Sequence, residues 1–240
     1  MISFPGRGMR LLLFGLTIAA YAGSLTSPFQ FDDRGVIVQA EAVHSLGALL
    51  DDLGGGLRPV LKASYALCWA FGGSSWPFHV FNLLLHLVNV ELVLRLAVAA
   101  GAPASRGPFT LTAGLAPAAL ASGSVFALHP IQTEAVTYVS GRSASLATAF
   151  VLLALLFHAH GVRTGERRYR LLAAPLAFVL AVLTKETSVV LLLGLLLWDT
   201  LVERAAFREL WRRQLPWCAA GAAALLFLLW HPGYFKLLYR

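Results

Sequence analysis

Long stretches without charged side chains restrict most strongly how this chain can fold. Residues 11–27, 107–128, 143–162 and 214–235 contain no Asp, Glu, Lys or Arg. Each is about as long as the roughly 20 residues that an α-helix needs to cross a bilayer. Charged residues make up only 13% of the chain, against about 25% in soluble domains. The sequence therefore predicts an all-α, polytopic membrane protein.

A further apolar segment, residues 77–94, carries regularly spaced polar side chains. His79, Asn82 and His86 lie at positions i, i+3 and i+7, so they share one face of a helix. This spacing favours hydrogen bonds to neighbouring helices over metal binding, for which nearer histidines and a carboxylate would be needed. We expect a membrane crossing with one functional face.

Basic residues decide the topology of two ambiguous segments. Residues 57–73 are interrupted by Arg58 and Lys62, and residues 171–198 are split by Lys185 and Glu186. The arginine clusters fall on one side of the membrane only if the first segment is an amphipathic interfacial helix and the second crosses twice. Twelve of the 19 basic residues then lie on the cytoplasmic side.

The resulting prediction is about seven crossings, with one polar site at the outer membrane face. They cover, approximately, residues 11–27, 77–98, 108–128, 143–162, 170–184, 187–202 and 215–232. We expect residues 1–240 to form a single membrane domain, possibly truncated, with residues 28–76 as the first extracytoplasmic loop. Arg7 and Arg10 before "LLLFGLTIAA" also fit a cleavable signal peptide, and either alternative places residues 28–76 outside.

Ionisable residues at this outer face are candidates for chemistry. Asp32 and Asp33 follow the first crossing in "PFQFDDRG". They are either turn and cap residues or a general base whose charged form is disfavoured by its surroundings. His129, Glu134 and Arg142 lie in "HPIQTEAVTYVSGRSAS", either as helix boundary residues or as the lining of a shared polar cavity.

The turn between the fifth and sixth crossings offers a second charged group. Lys185 and Glu186 in "TKETS" either pair with each other or contribute to the outer cavity. In the second case, Lys185 would neutralise a lipid-linked phosphate. The two cysteines, Cys68 and Cys218, are too far apart in the predicted topology for a disulfide, and the sequence has no Cys/His zinc spacing.

The order of these stretches resembles the GT-C membrane glycosyltransferases, and most closely the TMTC-type O-mannosyltransferases, which carry tetratricopeptide repeats. The matching blocks are "FDDRGVI", "LRPV", "FHVFNLLLHLVNVELV", "HPIQTEAVTYVSGRSASLA" and "TKETSVVLL", within residues 29–199. The resemblance implies a GT-C-like helical bundle. No repeat of about 34 residues follows in this chain.

The resemblance also implies an activity and a set of roles. It implies an inverting enzyme that transfers a sugar, expected to be mannose, from a polyprenyl or dolichyl phosphate to a protein Ser or Thr hydroxyl at the outer face. Asp32 or Asp33 would be the base. The remaining candidates are Arg58, Arg142 and Lys185 for the phosphate, and His129, Glu134 and Glu186 for positioning the substrates. No metal or other cofactor is predicted.

Other function classes are weighed against this one. A non-catalytic membrane subunit that binds lipid phosphate or a partner protein is the main alternative. A transporter would place polar residues at mid-membrane depth. The net charge of +7 is distributed around apolar spans, so it indicates membrane orientation and no nucleic-acid partner. The Ala/Leu/Arg/Gly-rich composition favours a bacterial cytoplasmic membrane, with the endoplasmic reticulum as the eukaryotic location.

Overall fold

A computed structural model describes residues 6–53, 56–101 and 115–230, which fold into α-helices joined by short 3₁₀ and π turns. The helices are α1 Arg7–Tyr21, α2 Leu46–Asp52, α3 Pro59–Trp69, α4 Trp76–Gly101, α5 Leu115–Leu128, α6 Gln132–Thr137, α7 Arg142–Thr164, α8 Ala174–Thr184, α9 Leu191–Leu197 and α10 Phe207–Trp230. The start of the third predicted crossing, residues 108–114, and the end of the seventh, residues 231–232, lie outside the described residues.

The helices occupy the positions predicted for the membrane crossings. Three of those described are long and apolar enough to cross a membrane: Arg7–Thr26, Trp76–Gly101 and Arg142–Thr164. Shorter apolar helices cover Pro117–Leu128 and Tyr169–Thr184. The backbone of Lys185 is extended, and it separates α8 from the next helical segment, as expected for a turn between two crossings. The protein is an all-α integral membrane protein.

The polar face of α4 is used for contacts between helices, as the sequence indicated. His86 Nε2 lies 3.0 Å from the carbonyl oxygen of Ala127 on α5. Asn82 Nδ2 donates to the carbonyl oxygen of Tyr138 at 3.2 Å, and Asn89 Nδ2 donates to that of Ser145 on α7 at 2.9 Å. Buried amide and imidazole groups need such partners in an apolar environment. These bonds fix α5, α6 and α7 against α4.

The segment between α1 and α4 folds as a cap on one end of the bundle. Helix α3 has 11 residues and is about 16 Å long, too short to cross a bilayer. Its position agrees with the interfacial helix predicted at residues 57–73. Its buried side chains join a cluster with neighbours from the rest of the segment, α4 and the α6–α7 connection; the cluster is Ile37, Val43, Leu61, Tyr65, Cys68, Phe78 and Val139. This cluster holds the cap in place beside α6 and α7.

A buried network of hydrogen bonds stabilises helix packing at the opposite end of the bundle. Trp217 Nε1 donates to His158 Nδ1 at 3.2 Å, so the imidazole proton lies on Nε2. That nitrogen then donates to Asp199 Oδ1 at 3.0 Å. Gln214 Nε2 donates to Asp199 Oδ2 at 2.9 Å. The network fixes α10 against α7 and the π turn Trp198–Val202.

Candidate active site

Asp33 holds the loop that follows the first crossing. Its carboxylate is 1% exposed. Oδ1 accepts hydrogen bonds from the backbone N–H and the hydroxyl of Ser140, at 2.9 and 2.5 Å. Oδ2 accepts from the N–H of Gln30 at 3.0 Å. Because all three bonds tie the loop to itself or to the segment before α7, Asp33 has the geometry of a structural anchor.

The anchored loop contains a strained residue. Phe31 has φ +44°, in the left-handed region that bulky side chains rarely adopt, and its side chain is 83% exposed. Its ring meets that of Tyr138 edge-on, with centroids 6.1 Å apart. Strain of this kind persists only where surrounding contacts impose it, and it is common at functional sites. Here the hydrogen bonds of Asp33 impose it.

Asp32 is oriented differently from its neighbour. Its backbone N–H donates to the hydroxyl of Tyr138 at 3.1 Å, which fixes its position. Its side chain is exposed and lines a cavity of about 630 Å³. Among the described residues, its carboxylate has no hydrogen-bond or ion-pair partner. A fixed backbone with an unengaged carboxylate leaves Asp32 able to accept a proton from a bound molecule.

We define this larger cavity by Asp32, Tyr65, Tyr138, Arg58, Lys62 and Lys185. Three cations line it together with two carboxylates, those of Asp32 and Glu134. Lys62 Nζ pairs with Asp52 at 2.5 Å. Lys185 Nζ has no such partner in the described part of the chain. The larger cavity therefore places Lys185, the cation without an ion-pair partner there, in the same lining as the unengaged carboxylate of Asp32.

Arg58 and Glu186 form a two-bond ion pair at the rim of the larger cavity. Arg58 Nη2 lies 2.6 Å from Glu186 Oε1, and Nε lies 3.1 Å from Oε2. The hydrogen bond from Arg58 lowers the pKa of Glu186, and burial opposes that shift. Paired forks of this type are among the stronger charge-assisted contacts. Glu186 therefore pairs with Arg58, which connects α3 to the turn after α8, and not with Lys185.

A smaller cavity of about 320 Å³ lies on the other side of Tyr138. We define it by Gln30, Phe31, Asp33, His79 and Thr137, all of which line it. Glu134 and Tyr138 line both cavities, so these two side chains form a shared wall. Two adjacent cavities with one carboxylate at their boundary provide room for two different molecules.

Tyr65 closes the bottom of the larger cavity. Its side chain is buried, and burial raises the pKa of its hydroxyl to about 12. The phenol therefore stays protonated at physiological pH, and its O–H can act as a hydrogen-bond donor. On its other side, the guanidinium carbon of Arg142 lies 4.9 Å from the centroid of the Tyr65 ring.

Arg142 was predicted to line the cavity, but the structure places it outside the lining. It is fully buried. Its guanidinium donates to Asn82 Oδ1 at 2.7 Å and to the carbonyl oxygens of Ser64 and Phe78 at 3.0 and 2.9 Å. It also lies over the ring of Phe81, 4.4 Å from the centroid. The predicted contact with a lipid phosphate needs an accessible guanidinium, so this assignment is corrected: Arg142 joins α3, α4 and α7.

The remaining predicted residues divide between the cavities and the surface. Glu134 is exposed and lines both cavities. His129 is exposed, lines neither cavity, and its Nδ1 accepts from the N–H of Ile131 at 3.1 Å, which stabilises the turn after α5. Among residues 6–53, 56–101 and 115–230, no group of three His, Cys, Asp or Glu side chains could hold a metal ion.

Sequence reasoning missed three contributors to the site: Lys62, Tyr138 and Ser140. Tyr138 and Ser140 lie inside the stretch already singled out for its ionisable residues, but uncharged side chains there gave no separate signal. Lys62 follows Arg58 by four residues, a spacing that predicts one shared helix face, although in the structure Arg58 immediately precedes α3. That spacing was the available clue.

Comparison with characterised proteins gives one consistent result. Protein O-mannosyl-transferase Tmtc2 of Drosophila melanogaster is 34% identical over 212 residues, which are 80% of this chain and 21% of the relative. Protein O-mannosyl-transferase TMTC2 of Mus musculus is 32% identical over 161 residues, 61% of this chain and 18% of the relative. Protein O-mannosyl-transferase TMTC4 of Homo sapiens is 31% identical over 178 residues, 66% of this chain and 24% of the relative.

The matches cover most of this chain but only a small part of each relative. The chain spans about a fifth of the length of these curated relatives. No protein-family profile matches it, and no solved structure matches it. The similarity therefore rests on the sequence alignments alone.

Proposed function

Because the chain belongs to the TMTC-type family, several of whose members are named protein O-mannosyl-transferases, we propose that it is a membrane glycosyltransferase acting on proteins. The proposed reaction moves a sugar, expected to be mannose, from a polyprenyl or dolichyl phosphate to a Ser or Thr hydroxyl. It takes place at the membrane face that carries residues 28–76 and 129–142. We treat residues 1–240 as one GT-C-like membrane domain.

The observation that carries the proposal is the difference between the two neighbouring aspartates. Asp33 is buried and bonded three times. Asp32 is exposed at the larger cavity and unengaged. A general base needs a free lone pair within reach of the proton that it removes. We therefore assign the base to Asp32, and we assign Asp33 to holding the loop that presents it.

The proposed step is a single displacement. Asp32 takes the proton of the acceptor hydroxyl, and the hydroxyl oxygen forms a bond to the anomeric carbon of the sugar. The bond between that carbon and the donor phosphate oxygen breaks, and the lipid phosphate leaves with the bonding electrons. Attack from the side opposite the leaving group inverts the configuration, so one base and a stabilised leaving group are sufficient.

The cations of the larger cavity suit the leaving phosphate. Lys185 is the strongest candidate because its ammonium group has no partner in the described part of the chain. Lys62 is a second candidate that sequence reasoning did not include. Arg58 keeps its predicted role only if it exchanges Glu186 for the phosphate, or shares its fork between the two. Developing negative charge beside fixed cations is stabilised most in a poorly solvated site.

The smaller cavity suits the residues that flank the reacting Ser or Thr of the acceptor, whose hydroxyl would extend into the larger cavity to reach Asp32. It is half the size of the larger one, and its lining includes the exposed Phe31. Glu134 faces both cavities and remains a candidate for positioning sugar or acceptor. His129 remains a candidate only for an acceptor that extends across the surface, because it lines neither cavity.

The proposed partners are therefore a polyprenyl-phosphate sugar, an acceptor protein or peptide and membrane lipids. The compartment follows less directly. Composition favours a bacterial cytoplasmic membrane, with the endoplasmic reticulum as the eukaryotic alternative. The relatives named above come from a fly, a mouse and a human, and they lend the bacterial location no support.

An isosteric substitution separates base from anchor. Asp32→Asn keeps the side-chain shape and removes its proton-accepting power. We expect transfer of labelled sugar from polyprenyl phosphate to Ser/Thr peptides to fall roughly 10²-fold or more, with binding of the lipid donor retained. Asp33→Asn should lower activity together with thermal stability, because the amide cannot accept all three hydrogen bonds. Asp51→Asn, an exposed carboxylate on α2, is the matched control.

Two results would contradict the enzyme assignment. The first is full transfer by the Asp32→Asn protein. The second is transfer that appears only when a longer relative is present and survives both amide substitutions. The second result would favour the alternative, a non-catalytic membrane subunit that binds lipid phosphate or a partner protein.

A further inference from the structure

A second charged cavity lies at the end of the bundle opposite the candidate active site. Helix α7 begins at Arg142, beneath the larger cavity, and ends at Thr164. Its 23 residues span about 34 Å, which is close to the full thickness of the hydrocarbon core. The loop that directly follows Thr164 therefore lies at the other membrane surface, and it takes no part in the proposed transfer.

Three arginines and one glutamate line this cavity, which has a volume of about 330 Å³. We call it the arginine pocket and define it by Arg170, Glu209, Arg212 and Arg213. Arg213 is partly neutralised, since it lies 3.3 Å from Asp199 Oδ1 and 3.3 Å from Glu209 Oε2. The pocket thus combines one satisfied arginine with two others.

Those two others have unused donors. The Nε of Arg170 is buried and has no hydrogen-bond partner. Arg212 is exposed, and within the described ranges it makes no hydrogen bond or ion pair. The accessible donors of the pocket are therefore those of Arg212, which an anion could bind.

The position of Arg170 is imposed by a close backbone approach. A Cβ on Gly161 of α7 would lie 2.8 Å from the backbone nitrogen of Arg170 and 3.1 Å from its Cβ. Only glycine allows the turn that carries Arg170 to pack this closely on α7. The turn is the π turn Tyr169–Ala173. The fold thus places Arg170 beside the first turns of α10, where Arg212 and Arg213 lie.

The outer face of α10 indicates the depth of the arginine pocket. Phe207, Trp211 and Leu215 follow one another at intervals of four residues and are 75%, 65% and 69% exposed. The rings of Phe207 and Trp211 meet edge-on, with centroids 6.2 Å apart. Exposed aromatic residues at the end of an apolar helix are typical of the lipid headgroup region. The arginine pocket on the same turns therefore lies at the level of lipid phosphates.

From these observations, we propose that the arginine pocket binds the phosphate of an anionic phospholipid. Guanidinium groups bind phosphate oxygens through paired hydrogen bonds, and the exposed guanidinium of Arg212 has all its donors available within the described ranges. Basic pockets between membrane helices are suited to anionic headgroups. The lipid chains would lie along the exposed apolar stripe of Phe207, Trp211 and Leu215.

Lipid binding to the purified full chain tests the proposal. The protein is placed in nanodiscs of phosphatidylcholine with increasing phosphatidylglycerol, and retained lipid is counted by native mass spectrometry after release into detergent. We expect preferential retention of phosphatidylglycerol, and a loss of about tenfold in that preference for Arg212→Ala. Arg34→Ala is the control, because it removes an equally exposed charge at the opposite surface. Arg212 is exposed, so its replacement should leave the fold intact.

A second comparison identifies the source of the phosphate. Inorganic phosphate is added at the concentration at which phosphatidylglycerol raises the melting temperature. If inorganic phosphate raises it equally, the lipid assignment is wrong and the pocket binds a soluble phosphate. Equal phosphatidylglycerol retention by the Arg212→Ala and Arg34→Ala proteins would overturn the site itself.

Discussion

Replacing Arg142 should destabilise the protein rather than weaken donor binding directly. In the Arg142→Met protein, the apolar chain fills most of the space but offers no donor. Asn82 Oδ1 then loses the 2.7 Å bond that satisfies it, and the carbonyls of Ser64 and Phe78 each lose one bond. A buried acceptor left without a donor costs about 1–3 kcal/mol, so we expect a loss of that size.

A second substitution isolates the cause of this loss. Replacing both partners of a buried hydrogen bond with apolar groups is often nearly neutral, because no unsatisfied group remains. The double variant Arg142→Met/Asn82→Leu should therefore lose less stability than the sum of the two single variants. The size of the shortfall measures the coupling between the two side chains. Arg34→Met, at an exposed arginine, controls for the charge change.

Unfolding by denaturing detergent, followed by fluorescence of the six tryptophans, supplies the measurement. Donor affinity is measured on the same preparations, below the unfolding range. An Arg142→Met protein as stable as the unmodified chain would refute the structural role. A selective loss of donor affinity without a loss of stability would restore the original assignment of Arg142 to the phosphate.

Two further predictions test the walls of the site. A Cβ on Gly141 would lie 2.3 Å from the carbonyl oxygen of Glu134. Gly141→Ala should therefore force α6 outward, lower the stability of the fold by about 1–3 kcal/mol and reduce transfer. An unchanged melting temperature would contradict this. Arg58 lowers the pKa of Glu186, so the pair stabilises the fold above pH 4.5 and loses its effect as pH falls below it. Glu186→Gln should therefore show a weaker loss of melting temperature on acidification.

Hydrophobicity and charge were readable from the sequence because each acts locally. An apolar run long enough to cross a bilayer has few alternatives to a helix, since its backbone groups need internal hydrogen bonds. The break at Lys185, the short helix after Arg58 and the hydrogen-bonding face of His79, Asn82 and His86 were predicted on this basis. The structure has each of these features.

Pairing between distant residues was not readable in the same way. Arg58 and Glu186 are separated by 128 positions, and Asp33 and Ser140 by 107. In the sequence alone, Arg142 and Lys185 are equivalent, because both are cations beside the predicted outer face. Helix packing then buries Arg142 among backbone carbonyls and leaves Lys185 at a cavity. No local pattern distinguishes these outcomes, because burial depends on which helices pack together.

The sequence by itself determined the membrane class, the helical segments and the stretch that carries two adjacent aspartates. Only the tertiary structure decided between those aspartates. The carboxylate of Asp33 points toward the α6–α7 connection and accepts hydrogen bonds from the N–H and hydroxyl of Ser140, whereas Asp32 lines the larger cavity. Adjacent side chains in a tight turn point in different directions, so the groups packed around the turn decide which carboxylate anchors the loop and which remains free to react.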